Sequence, residues 1–177
     1  MIVITSAPPS ESVDARQPHD LHTTTPIQGI DQVDIAFNQF MGTLTTADFM
    51  VTQVGQDASP PALIEALPLT ADSVRLSLAS PIDPQAWTVF EHIGTATRTC
   101  VGFLPGDVDA NQISETQDAD ALIESLNGMP ARPDYSTDMD RSGMVTAEDL
   151  VQLMNILNGA GAFDPWLGAA LPASPCP

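Results

Sequence analysis

The sequence predicts a multidomain chain: an N-terminal all-β antiparallel sandwich over residues 1–104, then a small α domain of two loop–helix repeats over 105–177. Three observations predict it. Short runs alternating apolar and polar residues recur through the first part of the chain. The Pro105-Gly106 pair then ends that pattern. Beyond it an acidic segment occurs twice, at a spacing of 31 residues from Asp107 to Asp138.

Val33-Asp34-Ile35-Ala36-Phe37 alternates as a half-buried strand should. Further candidates are Phe49 to Val54, Ala62 to Leu67, Ser73 to Leu78, Ala86 to Phe90 and Arg98 to Phe103. Between them lie turn clusters, Gly55 to Pro61 and Ser80 to Pro84. Six or seven short strands at this spacing suggest two packed antiparallel sheets. The stretch from Val33 to Val54, with Leu44-Thr45-Thr46-Ala47-Asp48-Phe49 leading into a strand, resembles the bacterial immunoglobulin-like modules of large surface and secreted proteins.

Charge narrows the function. The chain has 23 acids against five arginines and no lysine, a formal charge of −18. Such a chain repels phosphate backbones and anionic lipid, so nucleic-acid binding and membrane insertion are not expected. Residues 106–150 hold 11 of those acids with two arginines, many spaced one residue apart. Neighbouring apolar runs argue for a folded region, in which a cation neutralises the repulsion. The opening Met1-Ile2-Val3-Ile4-Thr5 lacks the basic region and apolar length of a signal peptide. An exported protein with this sequence is therefore expected to be a mature or C-terminal part of something longer.

The repeat carries the chemistry. With Asp107 placed over Asp138, 22 residues align without a gap, and each copy ends in Leu-Asn-Gly. Oxygen-bearing side chains fall at positions 1, 3, 5 and 12 of both copies. Calcium takes six to eight hard oxygen ligands, and a tight 12-residue loop turns alternate residues toward one centre. The first ligand set is Asp107, Asp109, Asn111, the Ile113 carbonyl and Asp118; the second is Asp138, Asp140, Ser142, the Met144 carbonyl and Asp149. Gly143 supplies the sharp turn at position 6, and Val145 at position 8 is free to face a core. Gln112 and Ser114 stand at those positions in the first loop. A side chain at position 6 costs roughly 1 kcal/mol or more of backbone strain, so the first site is expected to be weaker. Each loop leads into one helix, with Leu122, Ile123 and Leu126, then Leu150, Leu153, Met154 and Leu157, expected to form a shared core.

A full EF-hand would also have a helix before each loop, and the Pro-containing segments 103–106 and 132–136 exclude long ones. A duplicated half EF-hand opened by Gly106-Asp107-Val108-Asp109 resembles the dockerin modules of bacterial extracellular proteins, over residues 104 to about 160. The resemblance implies two antiparallel loop–helix units, two Ca²⁺ ions and a cohesin-like protein partner. It places the partner face at Thr116, Gln117, Ile123 and Glu124, and at Ala147, Glu148, Met154 and Asn155. A solvated helix face is the plain alternative for those residues. The implied function is calcium-dependent, non-catalytic attachment outside the cytoplasm, extracellular or at the cell surface. Two alternatives stand beside it: a calcium-stabilised clip with no cohesin partner, and an accessory carbohydrate-associated region of a larger secreted enzyme.

Cys100 and Cys176 fit neither a zinc site nor a redox pair, and their number permits one disulfide or two inert thiols. Under the dockerin resemblance, whose module ends lie close together, a bridge would clasp the repeats and stabilise them by around 4 kcal/mol. Phe163, Trp166 and Leu167 are expected to fold back onto the first repeat. His19-Asp20-Leu21-His22 reads as a polar loop rather than half a metal site, and His92 as structural. Asp34 and Glu65 read as the polar face of the sandwich, and Trp87 as core. No nucleophile triad, phosphate loop or helical zinc motif occurs, so no enzyme is expected.

Overall fold

The computed structural model describes residues 4–16, 30–55, 59–128, 130, 132–160 and 165–176. Among the described residues, eight strands form two four-stranded sheets, a β-sandwich arrangement, followed by three short helices. The strands are β1 (Ile4–Ala7), β2 (Ser12–Asp14), β3 (Gln32–Phe37), β4 (Phe49–Gly55), β5 (Leu63–Pro68), β6 (Ser73–Leu78), β7 (Ala86–His92) and β8 (Thr97–Phe103). One sheet runs β1-β3-β6-β5, the other β2-β8-β7-β4. The six strands expected from alternation are all present; β1 and β2 are additional. No described helix is long and apolar enough to cross a membrane.

The chain divides into two compact units that exchange segments. The first comprises residues 1–12, 28–102 and 172–177; the second comprises 13–27 and 103–171. The second unit thus takes in a segment from before most of the strands, and the last six residues belong to the first.

Period-two patterning builds the first unit. Val33, Ile35 and Phe37 of β3 are buried, and so are Val74, Leu76 and Leu78 of β6. Asp34 faces Arg75 in register, with guanidinium–carboxylate bonds of 2.6 and 2.8 Å, and Glu65 accepts from the Ser77 hydroxyl at 3.4 Å. Both acids are therefore polar-face partners of β6. Thr45 and Asp48 close a capping box on the turn Thr46–Asp48, from which β4 starts. His92 is buried edge-on to Phe37 and Phe49, its Nδ1 2.8 Å from the Thr95 hydroxyl. Trp87 is a core residue whose indole N–H donates to the Pro172 carbonyl at 2.8 Å. The disulfide Cys100–Cys176, with Cα atoms 6.0 Å apart, also lies within this first unit. The expected bridge is present: it joins β8, just before the repeats in sequence, to a residue just after them.

The second unit holds α1 (Gln117–Leu126), the single turn α2 (Asp134–Thr137) and α3 (Ala147–Asn158). Helices α1 and α3 pack on each other. Its core is Ala15, Val108, Ala121, Leu122, Met139, Leu153, Ile156 and Leu157, flanked by Leu126, Val145, Leu150 and Trp166. Two residues expected in that core are surface residues: Ile123 is 41 % and Met154 44 % exposed. Each sits one position beyond a buried residue of the stripe, Leu122 or Leu153. Their places are taken by Ala121 and Ile156, and by Val108 and Met139 at position 2 of each loop.

Candidate metal centre

The two acidic loops share most of their backbone-to-carboxylate bonds. In the first, Asp107 accepts the amides of Asn111 and Gln112, each at 3.0 Å. In the second, Asp138 accepts the amides of Ser142 and Gly143, each at 2.9 Å. Asp109 accepts from the Asn111 amide as Asp140 does from that of Ser142. The carboxylate at position 12 closes each loop. Asp118 takes the amides of Val108, Asp109 and Glu115 at 2.7, 3.2 and 2.7 Å. Asp149 takes those of Asp140 and Thr146 at 3.3 and 2.6 Å.

Backbone geometry repeats as well. Position 4 has a left-handed φ in both loops, +61° at Ala110 and at Arg141, and position 6 has +74° at Gln112 and +83° at Gly143. Glycine adopts that conformation freely, whereas glutamine carries the Cβ clash of the left-handed region. The strain expected at Gln112 therefore falls on a residue held in that region.

Helix starts complete the cradle. Thr146 caps α3 by accepting from the Glu148 amide at 3.2 Å, and Asp149 returns the bond to Thr146. The acids at Asp118 and Asp149 lie in first turns, where the helix dipole favours negative charge. Gly159, at φ +69°, ends α3; a Cβ there would lie 2.9 Å from Pro165.

Each loop thus collects three carboxylates, Asp107, Asp109 and Asp118 or Asp138, Asp140 and Asp149, with oxygens within 4.8 Å of one another. The outer two of each set are buried and the middle one half-buried. Burial and the neighbouring Asp118 charge push the Asp107 carboxyl up to about 7, against the lowering effect of its backbone donors. Burial pushes Asp118 up to about 6 despite three backbone donors. Burial also raises Asp138. Carboxylates gathered this closely at buried and half-buried positions repel one another without a counter-ion, and these are the residues that could hold a divalent cation.

Asn111 and Ser142 lie at the loop mouths. Asn111 Nδ2 donates to Asp109 at 3.2 Å and Glu115 at 2.9 Å, and its Oδ1 accepts the Ile113 amide at 2.8 Å. Ser142 Oγ donates to the Met144 carbonyl at 3.2 Å. Of the eight residues assigned to a partner face, Thr116, Gln117, Ile123, Glu124, Ala147, Glu148 and Met154 are exposed and Asn155 is half-buried.

Sequence reasoning missed a buried ion cluster beside the second loop. Asp14 accepts two bonds from one edge of the Arg16 guanidinium, from Nε and Nη2 at 2.9 Å each, and lies 3.7 Å from Arg141, the residue at position 4. Asp14 and Arg16 are two residues apart, but no local pattern links them to Arg141. Trp166, expected against the first repeat, packs on the shared core, and its amide donates to the Ile156 carbonyl of α3 in the second repeat at 3.1 Å. Leu167 is half exposed, while Phe163 and the 19–22 histidine segment lie outside the described residues.

No protein-family model matches the chain, and a search of curated proteins finds no match.

Proposed function

We propose that the second unit is a dockerin-like module binding two Ca²⁺ ions, carried beside an immunoglobulin-like sandwich in a protein that works extracellularly or at a cell surface. Its role in this reading is non-catalytic attachment to a cohesin-like domain. The observation that carries the calcium assignment is the duplicated scaffold: the same backbone-to-carboxylate bonds recur 31 positions apart, around two sets of three converging carboxylates. Asp107, Asp109, Asn111, the Ile113 carbonyl and Asp118 would hold one ion. Asp138, Asp140, Ser142, the Met144 carbonyl and Asp149 would hold the other. Buried carboxylates with raised proton affinity exchange protons for metal on binding. The exposed side chains at Ile123 and Met154, matching positions of α1 and α3, support a contact face.

Calorimetric titration of Ca²⁺ into the EDTA-stripped chain, with circular dichroism before and after, tests the calcium reading. Two sites with a gain in helicity are expected; no heat and no structural change would sink it. Attachment is tested separately with an immobilised cohesin panel, in calcium and in EDTA. A second reading, the calcium-stabilised clip without a partner, is favoured by the lacing of residues 14–16 into the second unit. Two-site calcium binding with no cohesin captured would select it.

A further inference from the structure

Loop 1 is held by a segment with no counterpart at loop 2 among the described residues. Residues 165–171 run back along the second unit as a strap. The Trp166 and Leu167 amides donate to the Ile156 and Leu157 carbonyls at the end of α3, each at 3.1 Å. After the turn at Gly168, the strap pairs with the first loop. The Gly168 amide donates to the Ser114 carbonyl at 2.8 Å, the Ser114 amide to the Ala169 carbonyl at 2.9 Å, and the Leu171 amide to the Gln112 carbonyl at 3.0 Å. Ile113 and Ala170 form an antiparallel bridge. The Ser114 hydroxyl is buried and donates to the Pro105 carbonyl at 2.7 Å, which locks the same stretch from its other side. Among the described residues, Val145, the counterpart of Ser114, has no such backbone partner.

We infer that this strap is a positioning element of the first loop, and that the Cys100–Cys176 disulfide keeps it seated. The inference rests on the calcium reading for its effect on affinity, but not for its effect on the loop backbone. The stretch it clamps, 112–114, contains the residue at φ +74° and the carbonyl assigned to the ion. External hydrogen bonds thus hold a glutamine where the second loop has glycine. The strap's last bond is at Leu171, and Cys176 ties down the chain shortly after it. Tethering raises the effective concentration of the strap at its ladder, so losing the tether weakens the ladder without removing a contact from the loop.

The test uses the full chain with Cys100→Ser and Cys176→Ser together. Amide exchange of Ser114, with Val145 as internal control, is followed in EDTA, and two-site calcium titration follows. Ser114 exchange should speed by about tenfold and the first site should weaken several-fold, with the second loop unchanged. Adding Gln112→Gly should restore the first site, which a general loss of structure would not allow. Gly168→Ala provides a disulfide-intact variant: its φ is +83° and a Cβ there meets nothing within 4 Å, so only the strap turn is strained. It should act in the same direction. Unchanged Ser114 exchange in both variants, or equal losses at both loops, would overturn the inference. Should neither loop of the unmodified chain bind calcium, the calcium reading fails, and Ser114 exchange still decides the strap.

Discussion

The Ala15 carbonyl accepts the Gly106 amide at 2.7 Å, joining a residue near the start of the chain to the one that immediately precedes the first acidic loop. On its other side the Ala15 amide donates to the Tyr135 carbonyl at 2.9 Å, just ahead of the second loop. Ala15 itself is fully buried in the core of the repeats. Replacing it with leucine forces extra methyl groups between the two approaches and should cost about 1–3 kcal/mol. Thermal melts monitored by helical dichroism in calcium should show the loss, and an unchanged midpoint would mean that the seam is slack.

Asp14 is the buried charge that two arginines share. Asp14→Ala leaves the guanidinium groups of Arg16 and Arg141 without it, and breaking a buried pair of this kind costs about 3–5 kcal/mol. Chemical denaturation of the variant should place the loss in the second unit. Because Arg141 sits at position 4 of the second loop, calcium affinity there should drop more than at the first.

The carboxylate at position 12 is expected to be indispensable to its own site. Asp118→Ala and Asp149→Ala should each lower the calcium stoichiometry from two ions to one, removing different sites. Calorimetry reads the stoichiometry directly; two ions bound by either variant would contradict the ligand assignment.

Exchange of the residues at position 6 should exchange the affinities. Gln112→Gly relieves a left-handed side chain worth about 1 kcal/mol, roughly fivefold in binding if the strain is released on the metal-bound state. Gly143→Gln should weaken the second site by a similar factor. Lanthanide luminescence titration of both variants measures the two changes.

Protons and calcium should compete. Asp107 and Asp118 titrate at about 7 and about 6 in the metal-free fold, above the unfolded value of about 4. The folded form therefore binds more protons than the unfolded one, so their contribution is complete below about pH 4 and is lost as pH rises toward 7. In EDTA the second unit should melt lower at pH 8 than at pH 5. Calcium reverses the order, since it requires the deprotonated carboxylates; its affinity should fall as pH drops below 7.

Much of this architecture is legible in the chain because its signals are local. Alternation such as Val33 to Phe37 exposes a strand directly, and Asp-X-Asp duplicated at a fixed spacing exposes a loop. The phrase from Leu44 to Phe49 is legible as the lead into a strand, while its capping box, Thr45 with Asp48, is seen only in the structure. Strands β1 and β2 are too short for alternation to mark them. Helical periodicity named Ile123 and Met154 as core because they adjoin Leu122 and Leu153, but a two-helix unit covers a narrower stripe than a large core would. The strap and the Asp14 cluster rest on bonds between distant backbone or charged groups, which leave no periodic trace in sequence.

The exchange of segments between the two units has a consequence for biosynthesis. Residues 13–16 leave the ribosome before most of the strands, yet their partners at Gly106 and Tyr135 arrive only after those strands have been made. Cys100 waits longer still, since its partner Cys176 lies 76 residues on, so the bridge forms only after the whole repeat segment between them has been made. Neither unit is complete while the nascent chain is short. A product truncated before Cys176 would leave the Cys100 thiol unpaired.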